Sequence, residues 1–145
     1  MSEYEIRRIP GDGELSDAYD VRRDVFIQEQ NVSEAEEWDG NDEDAVHYVV
    51  YNDGYPIGTA RVRIPEAHLA KIERVAVRKQ YRQAGIGQLL METLETEVRD
   101  QNATEVLLHA QTAVKQFYEK LGYMATSDHF NEAGISHVKM TKRLD

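Results

Sequence analysis

A chain of 145 residues with 41% apolar side chains suffices for one ordinary hydrophobic core, so residues 1–145 read as a single domain. A net charge of −10 and a sequence pI of about 4.9 oppose phosphate backbones and anionic bilayers, so neither nucleic acid nor membrane is an expected partner. With no cysteine there is no disulfide or thiolate metal site; with no run near ~20 apolar residues and no apolar signal core in MSEYEIRRIPGDG, a cytoplasmic protein is expected.

The first run, YEIRRI (4–9), predicts a strand ended by PGDG. From Leu15 to Gln28, Ala18, Val21, Val25 and Phe26 recur at helical spacing. Ser33 followed by Glu36 matches a capping box that opens a short second helix. VHYVVYNDGYPIGTARVRI predicts a hairpin that turns at Asn52-Asp53-Gly54. In its second arm Ala60, Val62 and Ile64 alternate with Thr59, Arg61 and Arg63, which predicts one buried face. AKIERVAV (70–77) is the next strand, and Val75-Ala76-Val77 is apolar on both faces, as in a central strand. Ile86, Leu89, Leu90, Leu94 and Val98 then mark one stripe of a long helix. EVLLHA (105–110) reads as another buried strand. Val114, Phe117, Tyr118 and Leu121 give a shorter helix stopped at Gly122, and HVKMTKRL (137–144) a last strand. The order β-α-α-β-β-β-α-β-α-β-β belongs to the α/β class.

Between the central strand and the long helix lies VRKQYRQAGIG (77–87), which concentrates Arg78, Lys79 and Arg82 in an acidic chain and closes on Gly85 and Gly87. A helix N-terminus carries unpaired N–H groups and about half a positive charge. Glycine lets an anion approach the backbone where a Cβ would collide with it. The segment Arg82-Gln83-Ala84-Gly85-Ile86-Gly87 therefore suits a diphosphate, with the nearby cations screening further charge; a plain turn before a helix is the alternative. The Gly-Lys-Ser/Thr ending of a P-loop is absent, as are the third glycine and later acid of a dinucleotide fingerprint.

Arg82-x-x-Gly85-x-Gly87, with ERVAV before it and LLMETL after it, resembles the acetyl-CoA signature of the GNAT superfamily of N-acetyltransferases. LHAQTAVKQFYEKLGY (108–123) resembles the family's second block, at the usual separation. VRRDVFIQEQNV, EWDG, HAQ, FYEKLGY and EAGISHVKM are further similar to the ElaA-like bacterial branch and extend the resemblance over nearly the whole chain. The resemblance implies a mixed, mostly antiparallel sheet of six to seven strands flanked by about four helices and splayed at the acetyl-CoA site. It implies acetyl-CoA as co-substrate, no metal, and homodimers as a common assembly. Val75, Ala76 and Val77 would pair with the pantetheine amides as an added strand would. The pyrophosphate amides map to Arg82, Gln83, Ala84, Gly85, Ile86, Gly87 and Gln88. Gln111 stands where many relatives have Asn, and Val114 where many have Ala.

Tyr118 falls at the family's general-acid position; a phenol with pKa about 10 is matched to a departing thiolate of about 8.5 to 10. Its alternative is an apolar stripe residue. An ammonium has no lone pair, so the reaction needs a base, and Glu73, two residues before Val75 and expected on the same strand face, could take that proton directly or through water. Pairing of Glu73 with Arg61 or Arg63 of the neighbouring strand weighs equally. Glu29, His109, Glu132 and His137 are further residues to line the acceptor pocket, with structural hydrogen bonding the alternative for each histidine. The five histidines lack a paired metal-binding spacing. Residues 29–44 hold eight acids and no Lys or Arg, a field that would draw cationic amines unless it is simply a solvated face. Without cysteine an acetyl-cysteine intermediate is impossible, so the expected reaction is direct attack by a primary amine, of a small molecule or peptide, in a ternary complex. A catalytically silent CoA-binding module is the second reading, and a plain protein-interaction domain the third.

Overall fold

The computed structural model describes residues 4–144. Strand β1 (Tyr4–Pro10) is followed by α1 (Ser16–Arg22), which runs on as a wider π turn over Arg23–Glu29, and by the short α2 (Glu34–Glu37). Three antiparallel strands come next: β2 (Val46–Asn52), β3 (Tyr55–Glu66) and β4 (Leu69–Val77). Helix α3 (Ile86–Asp100), β5 (Glu105–Gln111) and α4 (Lys115–Lys120) lead to β6 (Met124–Ala125), β7 (Phe130–Glu132) and β8 (Ile135–Arg143). Among the described residues the sheet has eight strands in the order β1-β2-β3-β4-β5-β8-β6, with β7 on β8, one more than the upper end of the expected range. Beyond the six segments read as strands from the sequence stand the short β6 and β7, too brief to leave a periodic signal. Every pairing is antiparallel except β4 with β5.

The larger core lies under α3 and α4, where Leu90, Met91, Leu94 and Val98 meet Ala60, Val62, Ile72, Val106 and Met140. Two stripe residues depart from expectation: Leu89 is exposed on α3, and Val114 is exposed in a 3-10 turn at residues 112–114, ahead of α4. Ser33 caps α2 as the sequence predicts, accepting from the Glu36 amide at 3.2 Å, while its hydroxyl donates to the Glu36 carboxylate at 2.8 Å. The α1 periodicity holds through Phe26, but Gln30 N–H reaches back five residues to the Val25 carbonyl, so the last turns are π-wound. Val21, Val25, Phe26 and Val32 form a second apolar cluster with Ala76 on the opposite side of the sheet from α3.

Strand β3 corrects the expectation of one buried face. Thr59 and Arg61 are as fully buried as Ala60 and Val62, whereas Ile64 is exposed near the strand's end. Polar residues survive on the second face because they are bonded: Thr59 Oγ1 donates to the Tyr48 carbonyl, and Arg61 sits among carboxylates. A second departure follows in β4. Thr59 stands opposite Ala76 but Arg61 opposite Glu73, so Ala60 faces both Arg74 and Val75, and Arg74 has a φ of +56°. This bulge flips the side-chain alternation. Glu73 consequently shares its face with Ala76 rather than with Val75, contrary to the sequence expectation.

Candidate active site

Strands β4 and β5 pair only from Leu69 opposite Glu105 to Lys71 opposite Leu107. Past that point they part, and a cleft of about 820 Å³ opens between them, lined by Val75, Ala76, Val77, His109, Gln111 and Tyr118 among others. The bulge at Arg74 sits where the strands separate, and bulges bend the strand that carries them. Arg74 is held in place from outside the sheet: its guanidinium donates to the Glu36 and Glu37 carbonyls at 3.3 and 3.2 Å and reaches Asp39 at 3.3 Å. Main-chain groups of β4 that face the split have no neighbouring strand, so an extended ligand bearing amides fits there as a strand would.

At the mouth of the cleft the chain leaves Val77 and enters α3 through residues 78–85. Gln83 and Gly85 have φ of +68° and +80°, which turns successive peptide planes. Gly85 is the N-cap and brings no capping side chain, so the first amides of α3, at Ile86, Gly87 and Gln88, point outward without a helical acceptor. The two glycines serve different needs. Gly85 supplies the left-handed backbone, whereas a Cβ on Gly87 would stand 3.1 Å from Cζ of Phe117, so Gly87 lets α3 approach α4. The side chain of Ile86 is buried in the core, leaving its backbone alone for a ligand.

The cations of this segment are more committed than the sequence implied. Arg82 holds Glu29 through both terminal nitrogens at 2.7 and 2.6 Å and donates its Nε to the Val77 carbonyl at 2.8 Å. Arg78 turns toward α1, pairing with Asp24 at 2.9 Å and stacking over Tyr55. Glu29 stands beside the α3 entry loop as the partner of Arg82, which itself lines the cleft. The hydrogen bonds from Arg82 also keep its carboxyl below the usual range.

Tyr118 enters the cleft from α4, packed edge-on against Phe117 and Tyr123 at ring distances of 5.0 and 5.9 Å. Its burial pushes the phenol pKa up. Its hydroxyl makes no hydrogen bond to another described residue. The ring belongs to the core, as the stripe alternative has it, and the residue also lines the cleft.

For Glu73 the structure shows the ion-pair alternative. Its carboxylate accepts from Arg63 at 2.6 and 2.8 Å and from Arg61 at 3.1 Å, with Lys71 at 3.4 Å. Burial alone would raise its pKa, but the Arg63 hydrogen bonds and the charges of Arg61 and Lys71 outweigh it and hold the group at about 2. A carboxylate that acidic is a feeble proton acceptor near neutral pH. Gln111 lines the cleft and bridges it, donating from Nε2 to Gln30 at 2.8 Å. His109, Glu132 and His137 also line it: His109 Nδ1 lies 2.8 Å from Glu132, and His137 Nδ1 lies 2.7 Å from the Ile135 carbonyl.

Four acids of the stretch 29–44, Glu29, Glu37, Asp39 and Asp42, pair with arginines, whereas Glu34, Glu36, Glu43 and Asp44 are exposed. Glu37 and Asp42 bind the buried Arg22 at 2.8 and 2.7 Å, and Asp39 and Asp42 bind the buried Arg61 at 2.9 Å. Arg74 adds Glu37 at 3.1 Å. Arg22 and Arg74, with Lys71 and Gln30 on the cleft wall, escaped the sequence reading, and Arg61 was weighed only as a partner of Glu73. Nothing in a strand pattern distinguishes a buried, neutralised arginine from an exposed one, and the carboxylates that reveal it are some 20 residues away. Among the described residues, no group of three or more His, Asp or Glu is disposed to hold a metal ion.

Among the described residues, an open, mostly antiparallel sheet thus has one parallel pair, which splits beside a helix N-terminus without a capping side chain. Residues 14–144 match the model of the acetyltransferase (GNAT) domain, and the chain belongs to that family. It is an acetyl-CoA-dependent N-acyltransferase by that membership. It is 44% identical over 142 residues to the Bacillus subtilis (strain 168) protein YyaT, covering 96% of this chain and 95% of that one. The N-acetyltransferase YjcF of the same organism is 41% identical over 130 residues, 89% of this chain and 92% of its own. Among solved structures, Escherichia coli ElaA superposes with a TM-score of 0.81 at 27% identity, covering 96% of this chain and 99% of that chain.

Proposed function

We propose that the chain acts as one domain that moves an acetyl group from acetyl-CoA to a primary amine by direct attack in a ternary complex. The observation that carries this reading is the split between β4 and β5 beyond Lys71 and Leu107, with the free amides of α3 at its mouth. The amides of residues 82–88 suit the pyrophosphate of CoA, and the backbone of Val75–Val77 suits the pantetheine arm. Gln111 borders that arm from β5. Tyr118 protonates the departing sulfur; its raised pKa keeps it a neutral donor until the thiolate forms. Glu73 acts by fixing Arg63 and Arg61 at the floor of the split. The absence of cysteine leaves the amine itself as nucleophile.

The acceptor approaches from the side of α1 and α2, where His109, His137 and Glu132 line the cleft. A small molecule or a peptide end bearing a primary amine fits that opening. The test is thiol release from acetyl-CoA across a panel of amines, with calorimetry of CoA binding alongside. Binding in the micromolar range with amine-dependent thiol release is expected. Absence of any heat at millimolar CoA would overturn the reading.

A further inference from the structure

The proposed reaction needs a group that takes a proton from the attacking nitrogen, and Glu73 is disabled for it by its arginines. Another pair lies at the point where the strands diverge. His109 follows Leu107, the last β5 residue paired with β4, by two positions, and its half-buried ring lines the cleft. Alternation along β5 places Leu108 and Ala110 in the core under α3 and α4, so His109 projects from the opposite face. That is the face from which the acceptor enters. Tyr118 reaches the same cleft from the other side of the sheet.

The hydrogen bonds around His109 fix its chemistry. Nδ1 lies 2.8 Å from Oε1 of Glu132, and the ring rests edge-on against Phe130 at 5.2 Å. The bond to His109 keeps the Glu132 carboxyl below its ordinary range, so it is ionised and accepts only. The proton of the neutral imidazole therefore sits on Nδ1, and Nε2 carries the lone pair. Nε2 has no hydrogen-bond partner among the described residues.

We propose that His109 is the proton acceptor of the acyl transfer and that Glu132 is its positioning residue, an inference that rests on the function proposed above. The neutral amine attacks the thioester carbonyl carbon and forms the C–N bond; its nitrogen then loses a proton to Nε2 of His109. The C–S bond breaks with its electron pair on sulfur, which takes the proton of the Tyr118 hydroxyl. The imidazolium, stabilised by the Glu132 carboxylate, returns its proton through solvent to the Tyr118 oxygen. Amide and thiol are the products, and both side chains are restored.

Other charged groups face the pair: Lys71 from β4, His137 and Lys139 from β8, and Glu36 from α2 across the cleft. The experiment measures turnover of wild type, His109→Gln, Glu132→Gln and His137→Gln against pH, with the most active amine of a panel containing a diamine, a polyamine, an arylethylamine and a lysine peptide. Calorimetric affinity for acetyl-CoA and ring nitrogen spectra of His109 accompany it. His109→Gln is expected to lose about 100-fold or more in kcat, with unchanged acetyl-CoA affinity and without the acidic limb of the profile. Glu132→Gln is expected to lower kcat with unchanged acetyl-CoA affinity and to release the preference for the Nδ1 proton in the ring spectra, whereas His137→Gln leaves that spectral preference in place. Spectra of the wild type show the proton on Nδ1. His109→Gln within threefold of wild type, or a limb that survives in it, overturns the dyad while the acetyltransferase reading stands. Wild type that fails to bind acetyl-CoA, or binds it without amine-dependent thiol release, overturns both.

Discussion

Replacing Tyr118 with Phe removes one oxygen from a ring packed edge-on between Phe117 and Tyr123, so folding is expected to survive. Turnover is expected to fall by about 100-fold or more while acetyl-CoA affinity holds within a few-fold, as loss of a general acid requires. Steady-state kinetics with calorimetry decides this; equal losses in affinity and rate would place the hydroxyl in binding instead. Glu29→Gln tests the neighbouring pair. Arg82 is held by two short bonds to that carboxylate, and a phosphate must share or displace it. Freed of Glu29, Arg82 is expected to bind CoA severalfold more tightly by calorimetry. Weaker binding would instead mean that Glu29 preorganises the arginine. The place of Tyr118 on the apolar stripe of a short helix was legible in the sequence, but the commitment of Arg82 was not, because Glu29 lies on a different element.

The entry to α3 is the element to which the proposed function assigns cofactor binding, and its two glycines are expected to fail differently. Gly85→Ala forces a Cβ residue to a φ of +80° without a clash, costing about 1–2 kcal/mol. It should also weaken CoA, because the amides of Ile86–Gln88 are aimed by that turn. Gly87→Ala pushes against Phe117 and should shift α3 from α4, lowering the melting temperature with a milder effect on CoA. Parallel melting and binding curves separate the two; identical behaviour would refute the division of labour. The strand before the turn was read correctly as central, and the long helix correctly placed. The bulge at Arg74 was invisible, since nothing in ERVAV marks a left-handed arginine. Its φ is imposed by carbonyls of α2 and by Asp39.

On the scale of the molecule, the buried charges join α1, α2 and the sheet. Arg61→Met would leave Asp39, Asp42 and Glu73 short of their partner, a loss of about 3–5 kcal/mol for a broken buried pair, or roughly 10 °C or more in melting temperature. A loss below about 1 kcal/mol would show the network to be dispensable. Acid should act on the same groups. Glu73 is held at about 2 against an ordinary 4.5, and Asp39 and Asp42 are lowered as well, burial being outweighed by their arginines. Their contribution is fully present above the unfolded values and is lost as pH falls through about 4.5 toward 2, on the order of 3 kcal/mol for Glu73 alone. Glu37 acts with the opposite sign, because burial raises it. Melting temperatures from pH 7 to pH 3 should therefore fall steeply below about 4.5, and less steeply in Glu73→Gln; a flat profile would contradict the network.

The sequence by itself determined the order of the elements, the central strand, the turn into the long helix and the acyl-CoA signature. These are written in local periodicity and in glycines whose conformational needs do not depend on distant residues. Only the tertiary structure decided where the charges go. Glu37, Asp39 and Asp42 close on arginines brought in from α1, β3 and β4, Glu73 goes to Arg63, and His109 meets a carboxylate from β7. An ion pair between distant elements has no period along the chain, so only the folded arrangement can assign its partners.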